Sequence, residues 1–384
     1  MLRKLNRVIH DFLREKRLKI GKFIFDRKKK NKIIESNNFI RDNNIEKILF
    51  LRYDGKIGDM VVNTFMFREI KKRFPDIKIG VVVRKENKDI IASNPNVDQI
   101  YLYDKKNIKS LAGEIKKEKY DVLIDFSEML RVKQMQFIKE CDCRINMGLN
   151  RKDWNLFDIS VEAGKDFQWN EHITKRYISY LNKLGIKEDI DTNYELFYKE
   201  SKKDYEFFQK NKERQIVTIN PYGASTHKSF TISTLKKIIE ILESYDVKIV
   251  VLYYGNKIEE VRQLASYEKV YIPQNIESIL DSIEVISKSD LVITPDTSIV
   301  HIVSALHKDL IAVYPPNGGN FGVDHLVWAP SAEKYAVLFC RDKSSTYDEI
   351  DINTFDILEM EKNIKNFLLE GKWEIDEDKN YKKY

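Results

Sequence analysis

The sequence predicts an α/β protein made of two successive doubly wound units, and three observations support this fold class. From residue 45 onward, apolar segments of strand length alternate with amphipathic segments of helix length. Such alternation is typical of a parallel sheet that helices cover on both faces. The alternation restarts near residue 215, and 42% of the 384 residues are hydrophobic. The chain is therefore long and apolar enough to form two ordinary domain cores.

The first unit begins with the apolar segment KILFLR, which predicts a strand at residues 47–52. A polar loop and a helical pattern follow, and Pro75 ends that helix. The later strands are separated by spacings that admit a helix or a loop. They are predicted at residues 77–83, 97–103, 120–126 and 143–149.

The second unit repeats this order in the segment QIVTINPYGASTHKSFTISTLKKIIEIL, which contains a strand, a polar loop with glycine, and a helix. Its later strands are predicted at residues 247–255, 269–273, 290–296 and 309–316, and its later helices near 257–267, 277–288 and 298–307. Units of this kind bind ligands at the carboxyl ends of their strands, so we expect the loops of the two units to face each other across a central cleft.

The pattern also predicts where the chain divides. The divisions are a basic amphipathic N-terminal extension at residues 1–45, a first domain at 46–205, a second domain at 206–350, and a C-terminal helix that crosses back, with a tail, at 351–384.

The positive charge is concentrated in the N-terminal arm. Residues 1–32 contain 13 Lys/Arg and 3 Asp/Glu, a net charge of +10, whereas the other 53 Lys/Arg and 57 Asp/Glu sum to −4. Apolar residues recur in the arm at helical spacing, at Leu2, Leu5, Ile9, Phe12, Leu13 and Ile20. We expect residues 1–32 to bind an anionic membrane surface, the alternatives being an extension packed on the body or a solvated arm. The mildly acidic body argues against a nucleic-acid-binding protein.

Cysteine content and hydropathy bear on the compartment. Three cysteines exclude a disulfide framework, and the Cys141-x-Cys143 pair is too sparse for a metal site. No apolar run approaches the length of a membrane-spanning helix, and the N terminus lacks the pattern of a secretory signal. We therefore expect a reduced, cytoplasmic protein, peripheral at the inner face of the cytoplasmic membrane if the arm binds lipid.

The loop RYDGKIGD follows the first strand and is rich in ionisable side chains, namely Arg52, Asp54, Lys56 and Asp59. Gly55 and Gly58 permit a tight turn with positive φ. Asp59 is expected at or next to the N-cap of the following helix, where a carboxylate caps free N–H groups. Because the same position lies at the ligand end of a strand, it also suits a general base. The other three charges then support the loop.

The loop NPYGASTHKSF follows the first strand of the second unit. Gly223 allows a close turn, and Lys228 with the hydroxyls of Ser225 and Thr226 can hold a diphosphate. The positive end of the helix that starts near Thr231 would assist them. The alternative is a polar turn with an exposed lysine.

The segment SDLVITPDTSIVHIVSAL ends a strand and begins a helix. Asp296, Thr297 and Ser298 are suited either to capping that helix or to contacting a ligand at the strand end. His301 lies among apolar residues, so it is either a core histidine or a ligand-contacting residue at the sheet edge.

Together these loops resemble the heptosyltransferases, glycosyltransferase family 9, which have the GT-B fold and build lipopolysaccharide inner cores. The resemblance spans about residues 47–330. The first loop, within ILFLRYDGKIGDMVV, is similar to the family's R-x-D-x-x-G-D motif. NPYGASTHKSF resembles its phosphate-binding loop, and SDLVITPDTSIVHIVSAL resembles its D-[ST]-G-x-x-H-x-x-A-A-L donor segment. The implied fold is two Rossmann-like domains facing a central cleft, with the acceptor domain at 46–205 and the donor domain at 206–350.

The resemblance also implies roles for individual residues. Asp59 matches the general base that deprotonates the acceptor hydroxyl, and Lys228 matches the lysine that steadies the leaving diphosphate. Asp296, Thr297 and His301 match the segment that binds the donor sugar and phosphate, and we expect the adjacent Ser298 to take part in this binding. Glu259 matches the acidic residue that binds the nucleotide ribose.

Two residues depart from the family pattern. Ser298 stands where the family has glycine, and Phe65 stands where it often has proline. The chain also carries about 45 residues before its first strand. These departures bear on the donor sugar more than on the fold.

The implied reaction is inverting transfer of a heptose from a nucleotide-activated donor, ADP-heptose, to a lipid-linked core oligosaccharide. It needs a base and charge stabilisation for the leaving diphosphate, which a lysine and a helix N terminus can supply without a metal or a cofactor. The alternatives are the same enzyme class with a nucleotide-hexose donor, and a GT-B protein that binds nucleotide or lipid without turnover. An NAD-linked dehydrogenase is disfavoured because the G-x-G-x-x-G motif is missing.

Overall fold

The computed structural model describes residues 2–27, 32–316, 324–341 and 350–370, and for residues 2–12 and Glu370 it describes the backbone only. The chain forms two compact units, Met1–Thr192 and Asn193–Tyr384. Each unit contains one six-stranded sheet, and every neighbouring pair of strands is parallel. The predicted α/β class with two doubly wound units is confirmed.

The sheet of the first unit has the strand order β3-β2-β1-β4-β5-β6. Its strands are β1 (Lys47–Arg52), β2 (Lys78–Val83), β3 (Gln99–Leu102), β4 (Val122–Asp125), β5 (Ile145–Leu149) and β6 (Ile159–Val161). Its helices are α1 (Leu2–Phe25), α2 (Phe39–Asp42), α3 (Ile57–Arg73), α4 (Lys85–Lys88), α5 (Ile108–Glu118), α6 (Val132–Cys141) and α7 (Ile173–Lys183). Because β2 and β4 flank β1, the winding direction reverses between β1 and β4, which is where such sheets bind ligands.

The sheet of the second unit has the order β12-β11-β10-β7-β8-β9, so its winding reverses between β7 and β10. Its strands are β7 (Gln215–Ile219), β8 (Val247–Val251), β9 (Val270–Tyr271), β10 (Leu291–Pro295), β11 (Asp309–Tyr314) and β12 (Tyr335–Phe339). Its helices are α8 (Tyr205–Lys210), α9 (Ile232–Glu243), α10 (Ile258–Val261), α11 (Ile279–Ser287), α12 (Ser298–Ala305), α13 (Asp324–Val327) and α14 (Ile357–Lys365).

The central strands are buried on both faces, as their continuous apolar sequences predict. Ile48, Leu49 and Phe50 of β1 are fully buried, and so are Val292 and Ile293 of β10. The sheets bury these residues because helices cover both faces, and the polar loops are thereby left at the strand ends.

Several elements differ from the sequence prediction. The short strands β6 and β12 are additional, and the predicted helix near 257–267 is only the single turn α10 between two 3₁₀ turns, Gly255–Lys257 and Arg262–Ser266. The predicted strand at 247–255 ends at Val251. A short helix, α10, follows because Gly255 adopts a φ of 51° and ends the extended segment.

The ends of the second unit are held by its own residues. The second unit begins before residue 206, because the Ser201 backbone N–H and hydroxyl both donate to Glu284 and the Tyr271 hydroxyl donates to Asp204. At the other end, α14 packs against α9 and β12. The tail predicted after residue 370 lies outside the described residues.

The N-terminal extension forms the long helix α1, which packs against α6 of the first unit. No helix in the described ranges is both long and apolar enough to cross a membrane.

Candidate active site

The first candidate group lies after β1, beside the point where the first sheet reverses its winding. Gly55 adopts a φ of 78°, so it makes the left-handed turn that the sequence predicts. Gly58 does not share this role, because it lies in the first turn of α3. The turn brings the start of α3 back over the end of β1.

Asp59 is not the N-cap of α3, which corrects one sequence-based expectation. The helix begins at Ile57 with Lys56 at the N-cap, and the Lys56 side chain makes no capping hydrogen bond within the described part of the chain. Asp59 instead binds Arg52, with 2.7 Å between a carboxylate oxygen and a guanidinium nitrogen. Its second oxygen lies 3.9 Å from the Lys56 ammonium.

Arg52 is the centre of this group, although the sequence suggests only a supporting charge. It is the last residue of β1 and is 2% exposed. Its guanidinium also lies 3.5 Å from the carboxylate of Asp54. Burial alone would lower the pKa of Arg52, but the attraction of Asp54 and Asp59 outweighs it and raises the pKa above the ordinary value. Arg52 is therefore a permanent buried cation that fixes the Asp59 side chain.

Two aromatic rings hold the Arg52 guanidinium. It lies 5.1 Å from the ring centroid of Phe126, directly after β4, and 5.9 Å from that of Tyr177 on α7. Both distances are within the range of cation–π attraction. Three elements therefore position the Asp59 carboxylate. Strand β1 supplies Arg52, which binds it, and the rings that follow β4 and lie on α7 hold Arg52 in place.

The second candidate group lies where the winding of the second sheet reverses, between β7 and β10. The Lys228 ammonium is 3.7 Å from a carboxylate oxygen of Asp296, and the Lys228 side chain is only 19% exposed. The pair joins the loop after β7 to the loop after β10. The interpretation of Lys228 as a solvated surface lysine is therefore disfavoured.

The loop after β7 is folded closely on itself. A Cβ atom on Gly223 would lie 2.1 Å from the carbonyl oxygen of Lys228, so only glycine fits there. The Ser229 hydroxyl accepts a bond from the Gly223 backbone N–H at 3.0 Å and donates to the Ser225 carbonyl at 2.9 Å. Residues Thr226–Lys228 form a 3₁₀ turn, and Ser225 also contacts His227. Gly223 thereby sets the position of the lysine.

Asp296 has a shifted protonation equilibrium. Removal from water raises its pKa, and the nearby Lys228 ammonium partly opposes this shift. Removal from water therefore disfavours the ionised form of Asp296, and the Lys228 ammonium compensates for part of this penalty.

The two helix N termini near these loops differ. The N terminus of α9 is capped by Thr231 and covered by Asn353, whose side-chain oxygen accepts from the Thr231 backbone N–H at 2.8 Å. At α12 the N-cap residue is Thr297, and its side chain makes no capping bond among the described residues. The N terminus of α12, which begins at Ser298, is therefore the better candidate for binding an anion, in place of the α9 terminus that the sequence suggests.

His301 is buried inside α12, where 5% of its surface is exposed. Its ring lies edge-on to Tyr194 and Trp328, with centroids 6.1 and 5.7 Å away. This position favours the interpretation as a core histidine that supports α12, and direct contact with a donor stays a prediction.

Glu259 lies on the short helix α10, which follows β8. It is exposed and forms an ion pair with Arg262 at 2.9 Å. The adjacent Glu260 accepts a hydrogen bond from the Tyr222 hydroxyl at 3.4 Å, and Tyr222 lies in the loop that carries Lys228. The structure therefore brings together Lys228, Asp296 and the adjacent Thr297, whereas Glu259 is paired with Arg262 and its contact with a ribose stays a prediction.

Sequence reasoning missed one residue that organises the second group. Asn220 directly follows β7, and its side-chain amide donates to the Tyr222 carbonyl at 3.0 Å and to the Thr294 hydroxyl at 2.9 Å. It thus ties the two loop-bearing strands together. The signal available in the sequence was an asparagine directly after an apolar strand, because a polar side chain at such a position needs hydrogen-bond partners.

Comparisons with known proteins show which proteins this chain resembles. A family model described as glycosyltransferase family 9 (heptosyltransferase) matches residues 108–342. The putative lipopolysaccharide heptosyltransferase 4 of Escherichia coli is 24% identical over 332 residues, which cover 85% of this chain and 88% of that protein. The lipopolysaccharide core heptosyltransferase OpsX of Haemophilus influenzae is 21% identical and covers 67% of this chain and 76% of that protein.

Solved structures share the fold. The glycosyl transferase family 9 structure from Veillonella parvula aligns with a TM-score of 0.67 and 16% identity, covering 85% of this chain and 97% of that one. Escherichia coli heptosyltransferase WaaC, solved with ADP-2-deoxy-2-fluoro heptose, aligns with a TM-score of 0.64 and 15% identity, covering 83% and 99%. These likenesses confirm the predicted GT-B fold class.

Proposed function

Because this chain belongs to glycosyltransferase family 9, the heptosyltransferases, we propose that it transfers heptose from ADP-heptose to a lipopolysaccharide or lipooligosaccharide core acceptor. The similarity to lipopolysaccharide heptosyltransferases supports the acceptor class. The ADP-heptose analogue bound in the WaaC structure supports the donor. The observation that carries the proposal is the Lys228–Asp296 pair, at 3.7 Å, beside the N terminus of α12.

The proposed chemistry assigns one step to each group. The carboxylate of Asp59 accepts the proton of the acceptor hydroxyl, and that oxygen attacks the anomeric carbon of the heptose. The bond from this carbon to the diphosphate oxygen breaks, and its electron pair leaves with ADP. Attack from the face opposite the leaving group inverts the anomeric centre.

The second group stabilises the leaving diphosphate. Lys228 supplies a positive charge and α12 supplies backbone N–H groups at the positive end of its dipole. Ser225, Thr226 and Ser298 add hydroxyl donors, and Asp296 holds the lysine in place. We propose that this charge stabilisation requires neither a metal nor a cofactor.

The acceptor class implies a location. A lipid-linked acceptor lies in a membrane, and the arm at residues 1–32 carries a net charge of +10. We propose that the arm holds the enzyme peripherally at the inner, anionic face of the cytoplasmic membrane.

The test combines nucleotide binding with transfer, for wild type, Asp59→Asn and Lys228→Ala. ADP is expected to stabilise wild type more than UDP or GDP in a thermal-shift panel. Asp59→Asn should bind ADP like wild type but lose transfer from ADP-heptose by about 10²–10⁴-fold, because only the base is removed. Lys228→Ala should weaken ADP binding by about tenfold or more, since a charge-assisted bond is lost.

Lys237→Ala, an exposed lysine on α9, is the matched control and should leave ADP binding unchanged. Near-normal transfer by Asp59→Asn would remove Asp59 as the base. Stabilisation by none of the nucleotides would contradict the proposal as a whole.

A further inference from the structure

Helix α1 has one face docked on the first unit. Leu18 and Phe25 pack against the hydrophobic core there. A Cβ on Gly21 would lie 2.6 Å from the Val132 side chain, so α1 and α6 are in close contact at this glycine. The Asp26 carboxylate accepts a 2.7 Å bond from the Leu156 backbone N–H. The second half of α1 is therefore held in one fixed orientation.

The opposite face of this half is apolar and exposed. The exposed fractions of Leu13, Ile20, Phe23 and Ile24 are 43, 60, 73 and 47%; we call these four residues the outward strip. Steps of seven and four residues nearly complete whole helical turns, so Leu13, Ile20 and Ile24 form one line, with Phe23 beside it. Single exposed apolar residues are ordinary, but four on one helix face form a patch that marks an interaction surface.

Basic side chains flank the outward strip on both sides. Lys16 and Lys19 lie on one side of the line and Arg17 on the other, whereas Arg27 follows the C-terminal end of α1; all four are exposed. The Arg27 guanidinium lies 4.8 Å from the ring centroid of Phe23, so its charge sits next to the most exposed apolar side chain. Between residues 13 and 27, the only exposed acidic side chain is Glu15.

We propose that the outward strip inserts into an anionic lipid bilayer surface, with α1 lying parallel to it and its docked face holding the first unit against the membrane. Apolar side chains enter the acyl boundary while flanking Lys and Arg reach the headgroups, which is the arrangement of an interfacial helix. The positive flanks complement a negative surface. This inference deepens the proposed function, on which its biological context rests, by assigning the contact to four residues of a docked helix rather than to a mobile arm.

The test measures flotation of the full chain with vesicles of phosphatidylcholine, with and without phosphatidylglycerol. The variant Ile20→Gln/Phe23→Gln/Ile24→Gln is compared with the control Tyr205→Gln/Leu358→Gln, which removes exposed apolar residues from α8 and α14. Wild type and control should bind the anionic vesicles. The strip variant should bind at least about tenfold more weakly, because it lacks three apolar side chains that would enter the bilayer. Wild type should bind vesicles without phosphatidylglycerol weakly.

Melting temperature and transfer to a detergent-solubilised acceptor should not change in the strip variant, because its docked face is intact. Vesicle binding by the strip variant equal to that of wild type overturns the inference. So does a change from dimer to monomer in sedimentation with vesicle binding unchanged, which would make the strip a self-association surface. If wild type binds vesicles normally but transfers no heptose, only the proposed function is contradicted. If wild type transfers heptose normally but does not bind vesicles, only this inference is contradicted.

Discussion

Arg52 is a buried cation whose neighbours leave it little freedom. Two carboxylates lie within 3.5 Å of its guanidinium, and two aromatic rings hold it from β4 and α7. Burial does not deprotonate the Arg52 guanidinium, because the neighbouring carboxylates raise its pKa. The consequence is a fixed carboxylate at Asp59, which is what a general base needs before the acceptor arrives.

We predict that Arg52→Met lowers kcat of transfer by about 10²-fold, since a misplaced base loses alignment with its hydroxyl. Affinity for ADP should not change, because the ADP-binding residues belong to the other unit. Arg52→Lys should recover part of kcat by restoring the charge without the fork of donors. Steady-state kinetics with ADP titration measures both quantities.

Lys116→Met, which removes an exposed ion pair with Asp142 in the same unit, is the control and should leave kcat within twofold, roughly the effect of a surface pair. A fall in ADP affinity equal to the fall in kcat would contradict a positioning role for Arg52.

Asp296 yields a prediction on pH dependence. Because its pKa is raised in the folded protein, the folded state holds this proton more tightly than the unfolded state does. This tighter proton binding stabilises the folded state. The stabilisation is complete below the ordinary pKa of 3.8 and is lost as the pH rises through the pKa of Asp296 in the folded state. Asp296→Asn should therefore raise the free energy of unfolding at pH 7 and lose this advantage toward pH 4.

Denaturant unfolding across that pH range is the measurement. Asp246→Asn, on the exposed end of α9's connection to β8, should change the unfolding free energy by less than about 0.5 kcal/mol at every pH. If Asp296→Asn destabilised the protein at pH 7, the carboxylate would be a net stabiliser and the argument would fail.

At the scale of elements, the loop after β7 depends on a close backbone approach. Gly223 faces the Lys228 carbonyl so closely that a methyl group cannot enter. The helix termini that follow the loops also differ, since α9 is capped and covered whereas Thr297 of α12 makes no capping bond among the residues described. Loop conformation, more than side-chain identity, decides where the lysine is placed.

We predict that Gly223→Ala weakens ADP binding by about tenfold to a hundredfold, because the loop must move and take Lys228 with it. Calorimetric titration with ADP measures the change. Gly113→Ala is the matched control, since a Cβ there meets nothing within 4 Å. It lies within α5, where alanine should stabilise by about 0.5–1 kcal/mol without changing ADP binding. Equal ADP affinity of Gly223→Ala and wild type would contradict the prediction.

At the scale of the whole molecule, helix α1 has two roles, because one of its faces packs on the first unit and the other carries the outward strip. Leu18 and Phe25 cover part of the core, and the Lys22 ammonium lies 4.3 Å from the ring centroid of Trp154. Removal of the arm would expose these contacts. The described part of the arm is therefore not simply solvated, which was one of the alternatives that its sequence left open.

We predict that deletion of residues 1–32 lowers the unfolding free energy of the first unit by about 2–4 kcal/mol, the value of two partly buried apolar side chains and a buried hydrogen bond. Deletion of residues 2–12 alone keeps all of these contacts and should cost much less. Calorimetric melting of both deletions is the measurement. Equal melting temperatures for the two would show that the docked half adds no stability.

Patterns in the amino-acid sequence are sufficient to predict the alternation of strands and helices, the two-unit α/β class, and the loops that carry Asp59, Lys228 and Asp296. They can do so because strand burial requires continuous apolar segments, and because parallel sheets leave polar loops at their strand ends. They also locate the charge of the N-terminal arm. The sequence pattern is sufficient for these predictions because each of the predicted features depends on residues that are close together in the chain.

The partners of these residues become visible only when the chain is folded. Arg52 is paired with Asp59 because β4 and α7 close around it, and Lys228 meets Asp296 because β7 and β10 are neighbours in the sheet. The division of α1 into a docked and an exposed face likewise depends on α6, which is more than 100 residues away. Contacts between distant segments follow from topology and packing, and no periodicity in the sequence encodes them.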